Sequence, residues 1–241
     1  MEKPKLEPLE AWKSWSLFVG LGAVAFFLLT LGTPQLAQGF GLSMSDALSL
    51  TNVSLFVVLA ALSLTLYLRE GRPLTWSGLR ERFRIHNISR KDWWLVLLGI
   101  LVVDGSYIAL QILRTPIADQ LPEWMKSPYR IDTAVDPSGD YLRFVLFSGM
   151  ILFNVISEEM LWRGYVLPRQ ELQHGKKTWW IHGLQWTCFH WFKPWDVLAI
   201  LPGALVYGWL STRTRSMVPG LALHLGLNGL GILMMAFKVF G

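Results

Sequence analysis

The stretch ALSLTNVSLFVVLAALSLTLYL, residues 47–68, lies between Asp46 and Arg69 and carries no charge. A helix needs about 20 mostly apolar residues to cross a hydrocarbon core of about 30 Å, and this segment meets that length. Working outward, the pattern recurs: nothing charged lies between Lys13 and Asp46, Arg143 and Glu158, Lys177 and Lys193, Asp196 and Arg213, or Arg215 and Lys238. The chain therefore predicts an all-α, polytopic transmembrane bundle with spans near 15–37, 48–68, 93–113, 143–162, 178–192, 196–212 and 216–237. Seven spans, or six to eight, fit within 241 residues. The fifth is short and holds His182 and His190.

Composition agrees. Only 16% of residues are charged, against about a quarter in a soluble domain, which excludes a disordered chain and an ordinary cytosolic enzyme. The net charge of +5 suits cytoplasmic loops of a membrane protein rather than nucleic acid. The single Cys188 excludes an intramolecular disulfide or a cysteine-rich metal cluster. Counted over alternate connections, sixteen Lys and Arg fall on one side and five on the other, with Arg143 at a border. The positive-inside rule then places the N-terminus and the 69–92 and 163–177 loops in the cytoplasm. Trp12, Trp76, Trp93, Trp94, Trp179 and Trp180 fall near span ends as interfacial anchors. The 114–142 connection, with four prolines and an Asp136-Pro137-Ser138-Gly139 turn, is long enough for a functional lid. Residues 1–241 read as one integral membrane domain, with its motif-bearing core at 143–232.

An ionisable group in a span costs about 2.5–3.5 kcal/mol on insertion scales, so each needs a partner, a cavity or a role. Glu158 and Glu159 are adjacent, hence about 100° apart on a helix, whereas Glu159 and Arg163 at i, i+4 share a face and can pair. Glu158 is left without a local partner, and a carboxylate in a dry site is a stronger base. Interfacial exposure is the bland alternative. His190 follows Trp186 by one turn; His224 and Asn228, also i, i+4, lie deep in the last span, where helix–helix hydrogen bonding would explain them equally well. Taken together, a carboxylate, an imidazole to hold water and a neutral His–Asn donor pair make a hydrolytic set. Cys188 is roughly 200° around the helix from His190 and reads as packing. Asp104, mid-span, has no evident partner and keeps open a non-catalytic reading, such as a transporter or immunity factor using polar groups for packing or proton relay.

Glu158-Glu159-x-x-x-Arg163, Trp186-x-x-x-His190 and His224-x-x-x-Asn228, in this order on successive spans, resemble the CAAX prenyl protease and bacteriocin-processing (CPBP, or Abi) family of intramembrane proteases. The resemblance covers about residues 143–232 and includes Arg163-Gly164-Tyr165; it departs at Trp186, where the family usually has Phe. It implies an endopeptidase acting on a membrane-associated protein or peptide. Glu158 would be the general base, His190 would position the water, and His224 with Asn228 would form the oxyanion hole. Glu159, Arg163 and Trp186 would support them. Two His and a Glu could make a zinc set, yet no His-Glu-x-x-His helix is present; the expectation is a reaction without metal or other cofactor. The expected partners are a polypeptide substrate and the lipid bilayer, not nucleic acid, and the expected location is a prokaryotic plasma membrane with the catalytic cavity open towards the cytoplasm. Oligomeric state and substrate identity are not legible.

Overall fold

The computed structural model describes residues 6–122 and 141–240. Every regular element among them is helical. Helix α1 (Ala11–Ala25) continues through a π-helical segment, Phe26–Gly32, into α2 (Thr33–Phe40). Gly41 stops α2 in the left-handed region (φ +64°), donating its N–H to Ala37 O, a conformation that costs glycine little. Ser43 caps α3 (Met44–Arg69), Thr75 caps α4 (Trp76–Arg82) and Ser89 caps α5 (Arg90–Arg114), each side chain accepting a first-turn N–H. Helix α6 (Tyr141–Glu159) runs through a second π-helical segment, Met160–Val166, into α7 (Leu167–His174). After the turn at Gly175 come α8 (Thr178–Phe189), a short 3-10 turn His190–Phe192, α9 (Val197–Thr214) and α10 (Val218–Phe240). The Asp136–Gly139 turn expected in the long connection lies outside the described residues.

Contacts define two ends of the bundle. At one, Glu70 accepts from Arg82 and Arg169, Arg169 donates to Glu7 O, and Met217 N–H donates to Arg84 O. At the other, Arg143 meets Asp46 at 3.5 Å, Gln111 donates to Asp196 at 2.9 Å, and the Tyr141 and Phe240 rings lie 5.4 Å apart. Among the described residues, successive long helices run between these two ends, with α8 stopping short of the second.

Among the described residues, five stretches are long and apolar enough to cross a membrane: Ala11–Phe40, Met44–Arg69, Arg90–Ile117, Tyr141–Phe192 and Val218–Phe237. The fifth expected span is α8, only twelve residues or about 18 Å long. Trp191, just beyond its end, donates to Val19 O midway along α1. Helices α8 and α9 pack backbone to backbone: a Cβ on Gly208 would collide with the Trp179 carbonyl, the close approach that small residues allow between membrane helices.

Candidate active site

Glu158 sits in the last turn of α6, 5% exposed. Its Oε1 accepts from Asn154 Nδ2 at 3.0 Å and its Oε2 from the Trp186 indole N–H at 3.1 Å. Asn154 Oδ1 in turn accepts from Asn228 Nδ2 at 3.1 Å. The orientation is self-consistent, because a carboxylate only accepts and so fixes which end of the Asn154 amide faces it. Glu158 is thus neither interfacial nor partnerless. Its partners are neutral donors on α6 and α8, and α10 joins through Asn228. Asn154 was missed in the sequence, although its signal was there: a polar side chain one turn before Glu158 in a span.

Glu159 and Arg163 pair as their spacing predicts, at 3.0 Å and with both side chains fully buried. The same Glu159 oxygen meets His224 Nδ1 at 3.1 Å, so the pair also orients a site histidine. With Nδ1–H committed to a carboxylate, His224 can donate from Nε2 only as an imidazolium. Arg163 lies over the Trp186 and Tyr207 rings, 4.3 and 4.8 Å from their centroids. Gly220 on α10 makes room for Glu159, since a Cβ there would overlap Oε2.

His190 ends α8. Its Nδ1 donates to the Trp186 carbonyl at 2.9 Å, leaving Nε2 of the neutral ring as an acceptor for water. Trp186 serves two neighbours: its ring stacks on Tyr207 at 5.3 Å while its N–H holds Glu158. The π-helical segment directly after Glu159 is a distortion frequent at functional sites.

Glu158, Trp186, His190, His224 and Asn228 all line one cavity of about 530 Å³. It extends from Glu158 away from the arginine-rich end, past Asn154 and Met150 on α6 and past Asn228 and Gly231 on α10. His182 is elsewhere, fully buried and bonded to Gln170 at 2.6 Å. Gln170 also donates to Ser14 and Gln185, and the cluster locks α1, α7 and α8 together. Asp104 is half-buried on α5 with Oδ1 unpartnered, and Cys188 is half-buried. Among the described residues, no group of three or more His, Cys, Asp or Glu side chains is placed to hold a metal ion.

No curated protein and no solved structure matches the chain significantly. A family does: residues 140–230 match the Rce1-like family, described as type II CAAX prenyl endopeptidase Rce1-like. That stretch takes in all three motifs and ends just after Asn228. Over that stretch, which carries all three motifs, this helical membrane protein is similar to the Rce1-like family.

Proposed function

We propose that the protein is an intramembrane endopeptidase in which Glu158 and His190 activate a water molecule and His224 with Asn228 stabilises the oxyanion. The observation that supports it most is the convergence of these four side chains on one cavity, with both Glu158 oxygens held by neutral donors. Water held by His190 Nε2 gives a proton to Glu158 as its oxygen attacks the peptide carbonyl carbon. The negative charge that develops on the carbonyl oxygen is met by the His224 imidazolium Nε2–H and the second N–H of Asn228. Collapse of the tetrahedral intermediate breaks the C–N bond, and Glu158 returns the proton to the departing amine. Glu159 holds His224 through Nδ1 and so fixes the ring that presents Nε2. The reaction as written needs no metal. Membrane residence follows from the helices, and a prokaryotic plasma membrane with a cytoplasmic N-terminus is part of the proposal.

The test is cleavage of membrane-protein or peptide substrates by the purified, reconstituted protein. Glu158→Gln keeps the side-chain shape and should lower the rate by roughly 10²–10⁴, the usual effect of losing a general base. A well-folded Glu158→Gln protein with undiminished cleavage would sink the proposal. Comparing the membrane proteomes of cells carrying either form would reveal the uncut precursor.

A further inference from the structure

The two ends of the bundle differ sharply in charge. Among the described residues, the basic positions towards the Asp46–Arg143 end are Arg114, Arg143, Lys193 and Lys238; the others gather at the opposite end, around Glu70, Arg82 and Arg169. The positive-inside rule makes that arginine-rich end cytoplasmic.

The catalytic groups lie nearer this end by sequence count, but they are sealed from it. His224 is six residues into α10, about 9 Å from Val218. Between it and the arginine-rich surface lies a closed layer in which Glu159, Leu210 and Leu223 are 0% exposed, Arg163 and Tyr207 1%, and Met217 2%. On the other side there is space. The cavity continues from Glu158 past Asn52 and Leu48, in the part of α3 nearest Asp46, to the turn after α8. It exists because α8 stops short: beyond Phe192 the chain turns back at Lys193–Asp196 into α9 and leaves the room above α8 empty.

The far part of the cavity sets polar groups among apolar ones, with Leu29, Leu48 and Ile200 in its lining. Asn52, Tyr107, Lys193 and Asp196 line it; Asp196 is held by Gln111 at 2.9 Å and Tyr107 at 3.5 Å. Lys193 is half-buried, with its ammonium 5.4 Å from the Phe192 ring centroid. These polar groups can solvate water and a polypeptide backbone inside the cavity.

We infer that substrate and water enter from the non-cytoplasmic side. The substrate class is then a polypeptide whose cleavage site is displayed beyond or within the outer leaflet, such as an exported precursor or the outer segment of a membrane protein, and not a cytoplasmic protein tethered to the inner leaflet. The word substrate rests on the proposed function; the side of entry does not.

The test is therefore independent of activity. In a Cys188→Ala background, which removes the native thiol, Lys193→Cys and Asn52→Cys probe the cavity, and Lys176→Cys, exposed beside α7, marks the arginine-rich end. Intact cells and inverted membrane vesicles are treated with a membrane-impermeant maleimide. The expected result is labelling of Lys193→Cys and Asn52→Cys in intact cells, and of Lys176→Cys only in inverted vesicles. Labelling of both cavity probes only from the Lys176 side, or from neither side, overturns the inference, as does labelling of Lys176→Cys in intact cells. A cleavage assay with Glu158→Gln fails or succeeds separately, so the two readings are told apart.

Discussion

The indole N–H of Trp186 donates to Glu158 Oε2 at 3.1 Å while the face of the same ring carries the Arg163 guanidinium at 4.3 Å. One side chain thus joins the buried Glu159–Arg163 pair to the carboxylate proposed as the base. Trp186→Phe preserves an aromatic face for Arg163 and Tyr207 but deletes the donor. A hydrogen bond to a charged group contributes about 1.5–3 kcal/mol, so kcat should fall roughly ten- to hundredfold. Steady-state kinetics should show KM and the thermal transition little changed. An unaltered kcat would reduce Trp186 to wall packing.

Asn154 bridges two elements, donating to Glu158 and accepting from Asn228. Asn154→Leu removes both bonds at similar volume. We expect the protein to insert and accumulate normally but to lose at least tenfold in kcat, because both the base and an oxyanion donor lose their orientation. Asn154→Asp should be worse still, since it sets a carboxylate against Glu158.

Two glycines on α10 make a matched pair. A Cβ on Gly220 would overlap the Glu159 carboxylate, whereas nothing lies within 4 Å of one on Gly229. Gly220→Ala should displace Glu159 from Arg163 and His224 and lower both the melting temperature and the activity. Gly229→Ala should leave activity intact and stability unchanged or slightly raised, as replacing a helical glycine permits. Thermal unfolding in detergent or nanodiscs, paired with cleavage, reads both. Equal tolerance at the two positions would show that the Glu159 pocket is not tightly packed.

If the reaction is metal-free as proposed, cleavage should persist after treatment with EDTA and 1,10-phenanthroline and after dialysis against metal-free buffer. Loss of activity restored by added zinc would instead assign Glu158, His190 and His224 to a metal.

At the arginine-rich end, burial of Glu70 disfavours its charged form, but the hydrogen bonds from Arg82 and Arg169 outweigh this and hold its carboxyl below the ordinary value. A depressed native pKa means that the cluster stabilises the fold fully above the ordinary glutamate value and loses that contribution as pH falls through it towards the lowered one. Thermal unfolding followed from neutral to acidic pH should show this loss in the wild type. In Glu70→Gln it should be smaller, on a lower baseline.

What the sequence disclosed was local. The Glu159–Arg163 pair could be read because i, i+4 spacing is a property of one helix, and the uncharged stretches disclosed an all-helical membrane chain because each must satisfy its own backbone. The partners of His190 and His224 could not be read in the same way. The His190 ring satisfies a carbonyl of its own helix end, and the His224 ring reaches a carboxylate on another helix; both depend on where helices stop and cross. Hydropathy also cannot register that α8 ends in mid-bundle, because Trp191 and Phe192 carry the apolar run past its end. Charge counts orient a bundle without revealing where the packing inside it is incomplete.

A helix that terminates within the bilayer leaves its last carbonyls without intrahelical donors, in a medium that supplies none. In α8 the His190 side chain caps the Trp186 carbonyl, and the Lys193 N–H bonds to His190 O. Two devices therefore stand in for another turn of helix. Substitution of His190 by an apolar residue would expose a dry carbonyl as well as remove an imidazole, so folding defects and lost chemistry would arrive together. His190→Gln, which can still offer a side-chain N–H to that carbonyl, is the variant in which the architectural duty and the chemical one come apart.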